Sequence, residues 1–287
     1  MMKNHFENQV VIITGASAGI GRALAINASR QGAKVVLAAR RVEKLQQTAD
    51  ECHQGGGEVL VVPTDVADEL QCRNLVEKTV QTFGRVDMLI NNAGMAVTAL
   101  LQDFSSLDLF RKTMDVNLYG AVYCTYYALP YLKQNRGRIV AVSSLGGKAT
   151  IPYNTPYCTS KFGMHGFFDA LRMELFSSGV SVTIVCPSWV ATEFHATQLN
   201  QNGTPRGQET GADYYSSRTM SADRCARLIL KAAHRRKREI WMGAGWVAVW
   251  LKLLAPGLLD WIAVKLFLGS AVRRAVKARQ SRNVSGT

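Results

Sequence analysis

Tyr157 and Lys161 stand four residues apart in Tyr157-Cys158-Thr159-Ser160-Lys161, a spacing that puts both side chains on one face of a helix. An unperturbed phenol is a poor base near neutrality, because its pKa is about 10. An ammonium beside it favours the phenolate and lowers that value, so the pair predicts proton exchange with an alcohol or carbonyl oxygen. Upstream lie Ser143-Ser144, Asn91-Asn92-Ala93-Gly94 and the run Thr14-Gly15-Ala16-Ser17-Ala18-Gly19-Ile20-Gly21. In the last, Gly15 allows a tight turn, Gly19 lets backbone amides approach a pyrophosphate, and Gly21 lets the next helix lie close to a sheet. A glycine-rich turn alone need bind nothing. Directly after a strand and opening a helix, it points to a dinucleotide whose phosphates face the helix N-terminus.

The end of the second strand, Leu37-Ala38-Ala39-Arg40-Arg41, selects between dinucleotides. An NAD site places an acid there for the ribose 2′-hydroxyl. Here there is no carboxylate to repel a 2′-phosphate, and two guanidiniums can pair with one through bidentate, charge-assisted bonds. NADP(H) is the cofactor expected, with an NAD-linked enzyme as the alternative.

These segments need a scaffold that brings them together. Strands are predicted at Val10–Ile13, Val35–Leu37, Val59–Val62, Met88–Ile90, Ile139–Val142, Val182–Val185 and Ile240–Met242, each a short apolar run as expected when both faces are buried. Helical spacing covers Arg22–Gln31, Val42–His53, Leu70–Phe83, Leu107–Leu132 and Pro156–Phe176, with apolar residues recurring on one face. Seven strands alternating with helices predict a doubly wound parallel sheet, with its ligand crevice at the carboxyl ends of the strands. Each motif above directly follows a strand or opens a helix.

Taken together, these motifs resemble the short-chain dehydrogenase/reductase family, in the subgroup with TGxxxGxG, NNAG and YxxxK. The resemblance covers Val10 to Met242, about four-fifths of the chain. It implies a Rossmann-like fold over residues 1–243 and hydride exchange between nicotinamide and a carbonyl or secondary alcohol. It also implies the catalytic set Asn117, Ser144, Tyr157 and Lys161. Tyr157 would be the acid/base, Lys161 would lower its pKa and bond the nicotinamide ribose, Ser144 would hold the substrate oxygen, and Asn117 would anchor a relay water. The cofactor set implied is Gly15, Ser17, Gly19, Ile20, Gly21, Arg40, Arg41, Asp65, Val66, Asn92, Ala93, Gly94, Tyr157, Lys161, Pro187, Val190 and Thr192. Asp65 matches the acid that contacts the adenine. Pro187 to Thr192 matches a PGxxxT stretch in which Ser188 replaces the usual glycine. Ser144, Tyr157, Trp189 and Phe194 would meet the substrate, and Trp189 to Ser217, with Tyr214 and Tyr215, suggests an apolar one. A non-catalytic NADP(H)-sensing protein on the same fold is the rival from another class, since fold does not fix function. The acid/base set argues against it.

The net charge of +13 resembles a nucleic-acid signal only until it is located. From Lys231 onward, 12 Lys and Arg face 2 Asp and Glu, so that stretch carries +10 and the rest only +3. Residues 244–287 form an appendage with an apolar part, Trp246 to Leu254 and Leu258 to Leu268, broken by Pro256-Gly257. A basic end follows with Arg273, Arg274, Lys277, Arg279 and Arg282. A spanning helix needs about 20 uninterrupted apolar residues. Two short helices suit this stretch better, lying in a membrane interface with Trp246, Trp250 and Trp261 at headgroup level, or capping the pocket, or meeting a second subunit. The six cysteines form no CxxC pair and the five histidines show no metal spacing, so no metal is expected. No leader precedes Val10 that reads as a signal peptide, and a reducing cytoplasmic setting is expected, with membrane contact through the C-terminus. Whether the chain is a homo-oligomer is left open.

Overall fold

The computed structural model describes residues 4–150, 152–207, 219–243 and 245–269. Seven strands form one parallel sheet: β1 (Val10–Thr14), β2 (Lys34–Ala39), β3 (Val59–Pro63), β4 (Met88–Asn91), β5 (Arg138–Val142), β6 (Ser181–Cys186) and β9 (Glu239–Trp241), in the order β3-β2-β1-β4-β5-β6-β9. Every residue of β1 and β4 is buried, which explains their unbroken apolar runs. Alternate residues face opposite layers. Val11 and Ile13 join α1 (Gly19–Ser29), α2 (Val42–Gln54) and α7 (Ala222–His234) on one side. Val10 and Ile12 join α3 (Glu69–Phe83), α5 (Gly120–Gln134) and α6 (Thr155–Glu174) on the other. The chain leaves β1 toward β2 and returns to β4 on β1's other side, so the switch point lies at the carboxyl ends of β1 and β4.

All seven predicted strands are present. The long helix predicted over Leu107–Leu132 is instead α4 (Asp108–Met114), a π turn at Asp115–Tyr119, and α5. Such turns insert one residue into the helical ladder and gather at functional sites; here the turn carries Asn117. The sequence pattern also missed a small parallel pair, β7 (Val190–Ala191) with β8 (Met220–Ser221), too short to leave a period. Beyond β9 come α8 (Trp246–Leu254) and α9 (Pro256–Ala263), broken at Pro256 as predicted. No helix among the described residues is long and apolar enough to cross a membrane. Tyr214, Tyr215 and the basic residues from Arg273 onward lie outside the described residues.

Candidate active site

The first turn off β1 is built for close backbone approach. Gly15 has φ +68°, and a Cβ there would lie 2.9 Å from the Cα of Ala93. A Cβ on Gly21 would lie 2.2 Å from the carbonyl oxygen of Gly15, so only glycine lets α1 start this near the strand end. The neighbouring Asn92 Nδ2 donates to the Thr14 carbonyl at 2.8 Å, and Thr14 Oγ1 accepts from the amides of Asn92 and Ala93, each at 3.0 Å. The glycine turn and the Asn91–Gly94 segment are thereby one rigid unit, organised by Thr14.

At the end of β2, Arg41 donates to Ser17 Oγ at 3.3 Å and lies 3.9 Å from the Glu193 carboxylate, while Arg40 lies 3.7 Å from Asp65. Both guanidiniums are about half exposed or more, so a phosphate can reach them from solvent. Glu193 was not foreseen; only its place three residues after Val190 hinted that the loop returns to this point.

Asn117 is buried, and both its amide hydrogens are used: Nδ2 donates to the Met95 carbonyl and to Ser160 Oγ, each at 2.9 Å. Its Oδ1 accepts from the Met95 amide at 2.7 Å. Met95 and Ser160 therefore fix the floor between the Asn91–Gly94 segment and α6. The two serines after β5 divide: Ser143 is buried and donates to the Lys161 carbonyl at 3.4 Å, whereas Ser144 faces the crevice. Ser144 Oγ accepts from the Gly146 amide at 3.0 Å and hydrogen-bonds the Tyr157 phenol.

Lys161 shares the helix face of Tyr157, as the spacing predicts, and finds its hydrogen-bond partner elsewhere. Lys161 Nζ lies 5.7 Å from the centre of the Tyr157 ring and donates instead to the Val142 carbonyl at 2.9 Å. A buried ammonium needs an acceptor, and the end of β5 supplies one. Burial pushes the Tyr157 phenol up to about 12, the Ser144 bond only partly opposing it, and pushes Lys161 down to about 8. In this geometry the phenol is raised, not lowered.

One cavity of about 1640 Å³ gathers these groups. Of all the predicted site residues, only Gly21 and Asn117 do not line it. Both act from behind, one beneath the glycine turn and one under Met95. Phe194 stands with its ring 6.1 Å from that of Tyr157, and Trp189 is 5.2 Å from His195. Ser188 has an ordinary negative φ, so the departure from glycine brings no left-handed strain. The roof comes from α8 and α9 and the turn beyond them, through Ala248, Leu259, Ile262 and Leu266. The opposite faces leave Trp246, Trp250, Leu254 and Trp261 exposed. The sequence marked this segment as apolar without showing which face meets the pocket.

A second cluster was invisible in the spacing. His165, Cys186 and Glu239, from α6, β6 and β9, bring their potential ligand atoms within 4.8 Å of one another.

The short chain dehydrogenase family profile matches residues 9–203. The 11-beta-hydroxysteroid dehydrogenase A of Sesamum indicum is 36% identical over 266 residues, covering 91% of this chain and 76% of the relative. The dehydrogenase/reductase SDR family member 7 of Homo sapiens is 35% identical over 241 residues, 82% of this chain and 70% of its own. An alcohol dehydrogenase from the archaeon Thermococcus sibiricus, solved in complex with 5-hydroxy-NADP, superposes with a TM-score of 0.70 at 28% identity, covering 82% of this chain and 95% of that one. With the doubly wound sheet and the Tyr157–Lys161 crevice already in place, these matches settle the lineage: the chain belongs to the short-chain dehydrogenase/reductase family of oxidoreductases, which act on small molecules with a nicotinamide cofactor.

Proposed function

We propose that the protein is an NADP(H)-dependent carbonyl reductase or alcohol dehydrogenase, exchanging hydride with a carbonyl or secondary alcohol of an apolar substrate. The observation that carries this is the single cavity in which Arg41 and Ser17 stand at one end and Ser144, Tyr157 and Lys161 at the other. The residues fit the cofactor: Gly15 and Gly21, where a Cβ would collide with Ala93 and with the Gly15 carbonyl, let the turn lie tight under the cavity, and Arg40 and Arg41 line it where a 2′-phosphate would arrive. Gly19, Ile20, Asp65, Val66, Asn92, Ala93, Gly94, Pro187, Val190 and Thr192 line the remaining length of its seat, except where the substrate enters. When bound, NADP(H) is the source or sink of the hydride.

The chain's own residues handle the oxygen and its proton. Ser144 Oγ hydrogen-bonds the phenol and can hold the substrate oxygen beside it. Tyr157 donates the proton as a carbonyl is reduced and recovers one as an alcohol is oxidised. Lys161, charged below about pH 8, supplies a positive field and a ribose contact. Trp189, Phe194 and the inner faces of α8 and α9 exclude water and favour an apolar body. Ketones and alcohols of steroid size suit this space, in keeping with the relatives' names.

We read residues 1–243 as the catalytic domain and 244–287 as an appendage that roofs the pocket. Its outward tryptophans and the arginine-rich end suit a membrane interface on the cytoplasmic side. The test is a panel of carbonyls and alcohols followed by NADPH absorbance, run in parallel with NADH. Turnover with NADH alone, or with no member of the panel, counts against the proposal.

A further inference from the structure

Glu239 gathers donors from the serine turn, β6 and β9 around its partly buried carboxylate. Its Oε1 accepts from the Cys186 thiol at 3.5 Å and from the Trp241 indole N–H, while Oε2 accepts from Lys148 Nζ at 3.2 Å. His165 Nε2 lies 3.6 Å from the same sulfur. With both oxygens engaged by three donors, the carboxylate is spent inside the protein, and the cluster is an internal tie rather than a cation site. Burial pushes the Cys186 thiol up and His165 down to about 4, so both are neutral. The Lys148–Glu239 pair carries the charge.

What the tie holds is the turn that presents Ser144. That turn runs from Ser144 through Leu145–Gly147 to Lys148, closed by Ser144 Oγ on the Gly146 amide and by the Lys148 amide on the Leu145 carbonyl at 2.9 Å. At its far end Lys148 grips Glu239 on β9, next to the Ala149 amide that donates to the Leu145 carbonyl at 2.9 Å. Its near side is pressed on α6. A Cβ on Gly147 would lie 2.9 Å from both the His165 ring and the Lys161 carbonyl. The Leu145 amide donates to the Pro187 carbonyl at 3.2 Å, one residue after Cys186. One carboxylate therefore registers the serine turn against the strand end that starts the Pro187 loop.

We propose that Glu239, acting through Lys148, is a positioning residue that keeps Ser144 on Tyr157; this rests on the roles assigned to that pair above. A half-buried ion pair is weak support for stability, and its best-attested use is to fix register. The ion pair does that here between the serine turn and β9, and thereby sets how the turn meets Tyr157 on α6.

The test compares the full chain with Glu239→Gln, Lys148→Met and the exchanged pair Lys148→Glu/Glu239→Lys. With the nicotinamide cofactor that wild type uses, each single variant should lower kcat about tenfold, because sub-ångström misplacement of reacting groups costs rate steeply. The deuterium isotope effect on kcat should rise, KM for the cofactor should stay within about twofold, and the exchanged pair should recover most of the loss. Hydrogen exchange of the Gly146 amide reads the same turn without turnover and should speed up at least about tenfold in the single variants. Folded variants with wild-type kcat, isotope effect and Gly146 exchange overturn the proposal. So does a loss of activity that only follows the unfolded fraction. Absence of wild-type turnover would refute the proposed function instead, and the Gly146 exchange would still decide the positioning role.

Discussion

Replacing Arg41 by leucine tests the cofactor assignment most directly. Arg41 holds Ser17 Oγ at 3.3 Å, and its other edge lies 3.9 Å from Glu193, too long for a strong pair. A 2′-phosphate arriving between Ser17 and Arg41 would replace that weak contact with charge-assisted bonds. Hydrogen bonds to charged groups contribute about 1.5–3 kcal/mol. Arg41's side chain is 49% exposed, so the lower end applies. About 1.5 kcal/mol corresponds to roughly tenfold in affinity. Arg40 is 63% exposed and partly engaged by Asp65, so Arg40→Leu should cost only about threefold. NADH lacks the phosphate and should bind both variants within about twofold of wild type. Calorimetric titration of NADPH and NADH into the three proteins measures all of this. Equal weakening of both cofactors by Arg41→Leu, or a wild type that prefers NADH, would refute the assignment.

Three other perturbations bear on the remaining assignments. Tyr157→Phe keeps the ring and removes the transferable proton, so kcat should fall by about 10²–10⁴ while NADPH affinity is retained; near wild-type turnover would remove Tyr157 from the chemistry. Because burial brings Lys161 down to about 8, its ammonium is present below that pH and lost above it. Accordingly kcat/KM for NADPH should decline as pH rises through about 8, and a profile flat to pH 10 would contradict a required charge on Lys161. Trp250 and Trp261 are exposed on the outer faces of α8 and α9, so the double change to glutamate should abolish pelleting with anionic liposomes. Wild-type protein that ignores such liposomes in low salt would remove the membrane assignment.

The scaffold was legible because its strands are buried on both faces and therefore read as apolar runs of unmistakable length. The candidate site residues could be named because the fold places motifs at strand ends, and the structure gathers most of them around one cavity. Asn117 shows the limit. Its residue type and position were visible, but the π turn that carries it was not, since one inserted residue leaves the apolar period of α4 and α5 almost unchanged. Glu239 and Lys148 are 91 residues apart and have no common motif, so only tertiary structure joins them. The same holds for Arg41 and Glu193. Apolar character marked α8 and α9, yet which face turns inward depends on a pocket whose shape no local pattern encodes.

Burial also bears on the proposed chemistry, and it does so in a consistent direction. Spacing alone suggests that Lys161 activates Tyr157, because opposite charges four residues apart attract. The structure encloses both groups in a crevice where charge is costly, and each shifts toward its neutral form: the phenol to about 12 and the ammonium to about 8. A phenol at about 12 is protonated across the working range. In that form Tyr157 can donate a proton to a carbonyl oxygen as it is reduced. To act as a base it would first need a stronger positive field than Lys161 gives while it is bonded to the Val142 carbonyl, 5.7 Å from the ring centre. The resting geometry is therefore matched to the acid half of the reaction, and Ser144, bonded to the same phenol, is placed to guide the oxygen toward it. On this account, carbonyl reduction has the site's acid already in its competent state, whereas alcohol oxidation must first spend free energy on ionising it.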